Sequence, residues 1–329
     1  MLYREAGQFS VRYADDRRFF RLRQDRLGLA ALVLFAFIGV PLLGNDYWFS
    51  AILIPFLLLS LAGLGLNLLT GYAGQLSLGS AAFMAVGAFA AYNFELRVAW
   101  LPLLASLLLG GLVAALVAVV FGLPSLRIKG FYLLVSTLAA QFFVPWALTR
   151  FSWFSNDSAS RVISALFWLG ANLVRSELGR NWMAVRDMDT AAAVIGIPLL
   201  KTKLLAFAIS GFYLGVAGSL WAFTYLGTVE PHGFDLNRSF QILFIIIIGG
   251  LGSILGNFLG AAFIVLFPVL LSNLAGLLPT GLIDAGQIEN LQKIAFGTLI
   301  IIFLIKEPEG LARLWQRFRE RARRWPLRY

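Results

Sequence analysis

The strongest constraint on this chain is a series of apolar stretches of membrane-crossing length, separated by breaks too short to be domains. They fall at about 27–43, 48–69, 76–94, 100–123, 130–148, 162–174, 203–226, 240–256, 257–278 and 288–305. A hydrocarbon core about 30 Å thick takes roughly 20 apolar helical residues. Composition agrees, since 59% of the 329 residues are hydrophobic and only 13% charged, with a mean hydropathy of +0.80. A soluble domain of this size has no use for so much apolar surface. The expected fold is all-α: a polytopic membrane helix bundle of about ten spans, one of them short, with broken helices. Three parts follow: a basic segment at 1–26, the membrane domain at 27–305, and a basic amphipathic tail at 306–329.

Charge then sets orientation. The net charge of +10 could suggest nucleic acid, but the cations cluster beside apolar spans, as membrane topology requires. Residues 1–26 hold seven Arg against four acids. Arg127 and Lys129 follow, then Arg175, Arg180, Arg186, Lys201 and Lys203 in a central loop, and eight cations in the tail. Ten spans put all of these on one side. The other side receives Arg97, Arg150, Arg161 and Arg238, while Lys293 falls within the last span, one turn from Glu289. The N-terminus, the central loop and the C-terminus are therefore expected in the cytoplasm, with the chain multi-pass in its membrane. No cleavable signal peptide is expected, because residues 1–26 are too polar. Val162–Val174 makes about 20 Å of helix, short of the hydrocarbon core; snorkelling of Arg161 and Arg175 narrows that gap.

Few residues offer chemistry. There is no cysteine, and His232 is the single histidine, which excludes thiolate and multi-histidine metal sites. Glu230, His232, Asp235 and Arg238 fall in an expected outer loop. A proton-coupled carrier usually places an acid or histidine inside a span, and none stands out.

Two glycine-rich stretches interrupt the apolar pattern. The first runs from Asn67 through Gly71, Gly74, Gln75, Ser77 and Gly79 to Ser80. Backbone at membrane depth is irregular only where protein or a wet cavity satisfies it. This stretch reads either as a tight turn with polar glue or as a discontinuous helix lining a transport path. The second holds Gly249, Gly250, Gly252, Gly256 and Gly260. The last three step by four and bare one helix face for close packing, with Gly249–Gly250 as the turn before it. Gly211, Gly215 and Gly218 are expected to do similar work.

The longest charged interval away from the ends runs from Glu177 to Lys203. Asn181 suits a helix N-cap, and Trp182, Val185, Met188, Ala192 and Ile195 share one helical face. Gly196 then ends the helix and Pro198 forbids its continuation. A bare connector needs none of this. It reads as a surface-bound amphipathic helix or as a docking lever for a soluble partner. In the tail, Leu311, Leu314, Trp315 and Phe318 recur at helical spacing, as in a helix lying on the anionic inner leaflet.

Taken together, these segments resemble the permease subunits of bacterial ABC importers for branched-chain amino acids, specifically the LivM type of the two-permease pair. Asn67-Leu-Leu-Thr-Gly-Tyr-Ala-Gly-Gln-Leu-Ser-Leu-Gly79 looks like that family's early motif, and Ile248-Gly-Gly-Leu-Gly-Ser253 with Gly256 like its late one. Gly179-Arg180 through Ala191-Ala192 to Gly196-Ile197 looks like its cytoplasmic coupling loop. The resemblance implies that Asn67, Gly71, Gly74, Gln75, Ser77 and Gly79 lie near the translocation path. It implies that Gly179, Arg180, Trp182, Arg186, Ala191, Ala192, Gly196 and Ile197 serve ATPase coupling. It also implies a LivH-type sister permease, two cytoplasmic ATPase subunits and a periplasmic solute-binding protein. No cofactor is expected on this chain, which lacks a phosphate-loop motif; ATP belongs to the ATPases. Arg150–Val174 departs from the family, whose external stretch and following span are longer. The expected function is thus non-enzymatic: passage of branched-chain or other hydrophobic amino acids. Urea, amide or aromatic-acid cargo on the same architecture, or an ion-driven secondary carrier, are the alternatives.

Overall fold

The computed structural model describes residues 45–98, 100–126, 132–151, 197–276 and 310–324, with single positions at 30, 187, 294, 297, 298, 301 and 305. The chain divides into two compact units, Met1–Ala51 and Ile52–Tyr329. In the first, 46–51 is helical, and Ser50 Oγ donates to the Asp46 carbonyl at 2.7 Å.

Eight α-helices make up the described part of the second unit: α1 (Ile54–Asn67), α2 (Ser80–Arg97), α3 (Leu103–Leu126), α4 (Tyr132–Arg150), α5 (Leu199–Leu220), α6 (Leu236–Gly249), α7 (Ile254–Gly276) and α8 (Gly310–Arg324). No strand occurs among the described residues. Five helical stretches are long and apolar enough to cross a membrane: Trp48–Tyr72, Leu103–Leu123, Leu133–Arg150, Leu199–Leu226 and Ile254–Asn273. These are helices by elimination, since only a helix satisfies its own backbone in hydrocarbon. On α3 the side chains of Leu104, Leu108, Leu112, Leu116 and Val120 form an exposed stripe at four-residue spacing. Lipid accepts such a stripe, whereas water would drive it into a core.

The core sits around α5, which packs on α1, α2 and α3 and buries Phe207, Leu214 and Ala217. Hydrocarbon supplies no hydrophobic drive between helices, so close van der Waals approach must hold them together. Glycine permits that approach. A Cβ on Gly218 would run into the Met84 backbone, one on Gly87 into the Gly215 carbonyl, and one on Gly215 into Ala114. Three helices therefore meet at nearly bare backbone.

Two helices end in wider, π-helical turns, Leu68–Tyr72 after α1 and Trp221–Leu226 after α5. Such turns recur at functional sites, since they free backbone groups from the regular ladder. Between α5 and α6 a 3₁₀ turn, Pro231–Phe234, places buried Phe234 beneath the start of α6. Asp235 then caps α6, its Oδ1 accepting from the Arg238 N–H at 3.0 Å. The structure thus corrects the outer-loop reading for Arg238, which lies inside a helix, and makes Asp235 its N-cap.

The border between 240–256 and 257–278 is also corrected. α6 ends at Gly249 and α7 starts at Ile254, so the reversal is Gly250–Ser253. Gly252, with φ +75°, belongs to that turn and not to the helix face shared by Gly256 and Gly260. A Cβ on Gly256 would meet the Gly249 carbonyl, and one on Gly260 that of Ile245, so both hold α7 against α6. The apolar stretch at 76–94 becomes helical only from Ser80, and α5 starts at Leu199, taking in Lys201 and Lys203. Tail helix α8 seats its first residues, Gly310 and Ala312, on α6 and α7, leaving Leu314, Trp315 and Phe318 exposed. The segments 27–43, 162–174 and 288–305 lie outside the described residues, apart from the single positions named above.

Candidate functional site

The first glycine-rich stretch is a true interruption between α1 and α2. After the Leu68–Tyr72 turn, Gly74 adopts φ +67° and the chain stays non-helical through Gly79. Local bonds fix the turn: the Gln75 N–H donates to the Leu69 carbonyl at 3.0 Å, and Thr70 Oγ1 to the Gln75 carbonyl at 3.1 Å. Ser77 Oγ accepts from the Gly79 N–H at 3.3 Å. Asn67, at the end of α1, clamps the α6–α7 reversal. Its Nδ2 donates to the Ser253 carbonyl at 2.9 Å, and its Oδ1 accepts from the Gly252 N–H at 2.9 Å. Gly71 lies against Gly252 at the same junction. The early and late glycine motifs, far apart in the chain, are therefore one structural unit.

The start of α2 is held by neighbours, not by its own cap. Ser239 Oγ accepts from the Ala81 N–H at 2.8 Å, and Gln141 Oε1 from the Ala82 N–H at 2.9 Å. Thr137 Oγ1 accepts from the Leu78 N–H at 3.1 Å. Gln141 is the hub: its Oε1 also accepts from Ser239 Oγ at 2.8 Å, while its Nε2 donates to the Phe234 carbonyl at 3.0 Å. One buried amide thus ties together α4, the broken start of α2 and the start of α6. Beside it opens a cavity of about 320 Å³ bordered by Trp146, Thr149, His232 and Asp235.

Gln75 contrasts with this hub. Its side chain is 3% exposed, yet neither Oε1 nor Nε2 has a partner. Burying an unpaired amide costs about 1–3 kcal/mol, and such exceptions need a reason.

Sequence reasoning passed over Thr137, Gln141, Ser239 and Asn257. Asn257 Nδ2 donates to the Ser60 carbonyl at 2.8 Å, joining α7 to α1. The usable signal was a Gln or Asn isolated in an apolar segment, which must find a partner inside the bundle. Of the coupling residues, Ile197 is described, in the non-helical lead into α5. Gly179, Arg180, Trp182, Arg186, Ala191, Ala192 and Gly196 lie outside the described residues. Among the described residues no cluster of His, Cys, Asp and Glu could hold a metal ion.

Five lipid-length helical stretches, a broken helix held by polar side chains and two interlocked glycine motifs define a polytopic membrane helix bundle. The profile of the branched-chain amino acid transport system / permease component family matches residues 48–160 and 141–304, and this chain belongs to that family. Among curated relatives it is similar to the high-affinity branched-chain amino acid transport system permease protein LivM of Salmonella typhimurium, 30% identical over 300 residues. LivM of Escherichia coli K12 is 29% identical over the same length. Each match covers 76% of this chain and 66% of the relative, so the chain spans just under two thirds of those proteins. A shorter similarity, 32% over 115 residues, links it to the autoinducer 2 import system permease protein LsrC of Klebsiella pneumoniae, covering 31% of this chain and 33% of that one. No solved structure matches.

Proposed function

We propose that this chain is a transmembrane permease subunit of an ATP-driven importer that passes branched-chain or other hydrophobic amino acids across the bacterial inner membrane. The observation that carries the reading is family membership over nearly the whole helical bundle, 48–304. The chain performs no covalent chemistry; it supplies a path. Asn67, Gly71, Gly74, Gln75, Ser77 and Gly79 border that path, the glycines by allowing the break in the helix and Gln75 by its unpartnered amide. Energy comes from two cytoplasmic ATPase subunits, which grip the segment from Gly179 to Ile197. A LivH-type sister permease supplies the other wall, and a periplasmic binding protein delivers cargo. Both termini and the coupling loop face the cytoplasm, where basic residues are retained. The tail helix α8 rests its Leu314–Phe318 face on the inner leaflet.

The test is reconstitution of the chain with the ATPases, sister permease and binding protein of its own importer. ATP-dependent leucine uptake is expected, lost in Arg180→Glu while the protein stays in the membrane. Uptake driven by an ion gradient alone, without ATP or partners, would select a secondary carrier instead.

A further inference from the structure

A charge within an apolar bundle needs a partner, because hydrocarbon does not solvate it. Arg238, in the first turn of α6, is half-buried. Its guanidinium carbon lies 4.2 Å from the centroid of the Trp221 ring, and Nη1 donates to Gln241 Oε1 at 2.7 Å. Its Nε is buried without any hydrogen-bond partner. The neighbouring carboxylate of Asp235 offsets part of that charge through space, but its oxygens bond elsewhere: Oδ1 accepts from the Arg238 backbone N–H and Oδ2 from Asn237 Nδ2, at 3.0 and 2.8 Å. The neutral Gln241 amide satisfies one donor but balances no charge.

The surroundings also lack something. Trp221 is 1% exposed, and its Nε1 has no acceptor. Tyr225 lies 4.5 Å from the Trp221 ring and is partly exposed. This corner therefore combines a half-buried positive charge, two buried N–H groups without acceptors and, at Tyr225, an exposed aromatic ring beside them. A carboxylate joined to an apolar body fits it, since a carboxylate meets a guanidinium through charge-assisted bonds stronger than neutral ones. The corner also sits beside the broken helix, since the next residue, Ser239, holds the Ala81 N–H at the start of α2.

We propose that Arg238 receives the carboxylate of the transported amino acid, with exposed Tyr225 taking its apolar side chain and buried Trp221 holding the guanidinium in place. The proposal rests on the importer reading above and adds a named contact for the cargo.

The test uses the assembled importer in liposomes of zwitterionic phosphatidylcholine, photolysed with a diazirine analogue of leucine and mapped by mass spectrometry. Label is expected on peptides spanning 221–241, suppressed by excess leucine but not by 3-methylbutylamine, which is leucine without its carboxylate. Arg238→Gln should lower both this label and ATP-driven uptake by about tenfold or more, as expected for loss of a buried charged contact. Arg238→Lys should restore only part, because an ammonium lacks the planar fork. Equal suppression by the amine overturns the proposal, and this comparison needs only the unaltered protein. Uptake by Arg238→Gln within about twofold of the parent also overturns it, being far below the cost of a lost ionic contact. Label that appears only when anionic lipid is added overturns it in favour of a headgroup phosphate. If the parent complex imports nothing on ATP, the importer reading itself fails; if the parent imports and the variant does too, only the Arg238 assignment fails.

Discussion

Replacing Gln141 tests whether one amide organises the broken helix. Gln141→Leu keeps much of the volume and removes an acceptor for the Ala82 N–H and Ser239 Oγ and a donor to the Phe234 carbonyl. Ser239 Oγ retains its bond to the Ala81 N–H, so two backbone groups lose their only named partner. At about 1–3 kcal/mol for each buried unpaired group, the loss is about 2–6 kcal/mol. Interhelical bonds in membrane proteins average nearer 0.6 kcal/mol, because the unfolded reference also finds partners, so the lower end is the better expectation. Gln141→Glu supplies the control: burial keeps its carboxyl neutral, so it still accepts from the Ala82 N–H and Ser239 Oγ and can donate its O–H to the Phe234 carbonyl, for a smaller loss than Gln141→Leu. The assay is thermal unfolding of the purified complex in detergent, followed by dispersity and by tryptophan fluorescence. The order parent, Gln141→Glu, Gln141→Leu in falling midpoint is expected. A Gln141→Leu midpoint equal to the parent's would refute the hub, and with it the physical account of how α2 is held.

Gly218→Leu should prevent the close approach of α5 to Met84 on α2, and overpacking of this kind typically costs about 1–3 kcal/mol; a matched change at exposed Leu116 should leave the melting midpoint in place. Asn67→Ala removes both bonds to the α6–α7 reversal and should lower stability by about 1–3 kcal/mol, with protease sensitivity rising at Gly250–Ser253. Unchanged cleavage there would contradict the clamp.

Much of the fold was legible because hydrocarbon imposes a simple rule: long apolar runs must be helices. Helix starts were harder. The apolar pattern begins at Leu76, yet α2 begins at Ser80, because what fixes its start is Ser239 and Gln141 from helices distant in sequence. Gly252 shows the same limit. Its four-residue spacing to Gly256 mimics a helix face, but the turn before α7 needs its positive φ. Arg238 read as a loop cation since charge was taken as a sign of water; the aromatic ring beneath it and the cap at Asp235 are tertiary facts. Local pattern found the elements, and long-range polar pairing decided how they end and what they hold.

The central claim is that the segment from Gly179 to Ile197 docks into an ATPase on the cytoplasmic side. The chain contains no cysteine, so Ala191→Cys introduces a single thiol. A cross-link from that thiol to the ATPase subunit, changing in yield when ATP is added, is the predicted result. Modification of the same thiol by a membrane-impermeant maleimide applied to intact cells from the periplasmic side would contradict the account.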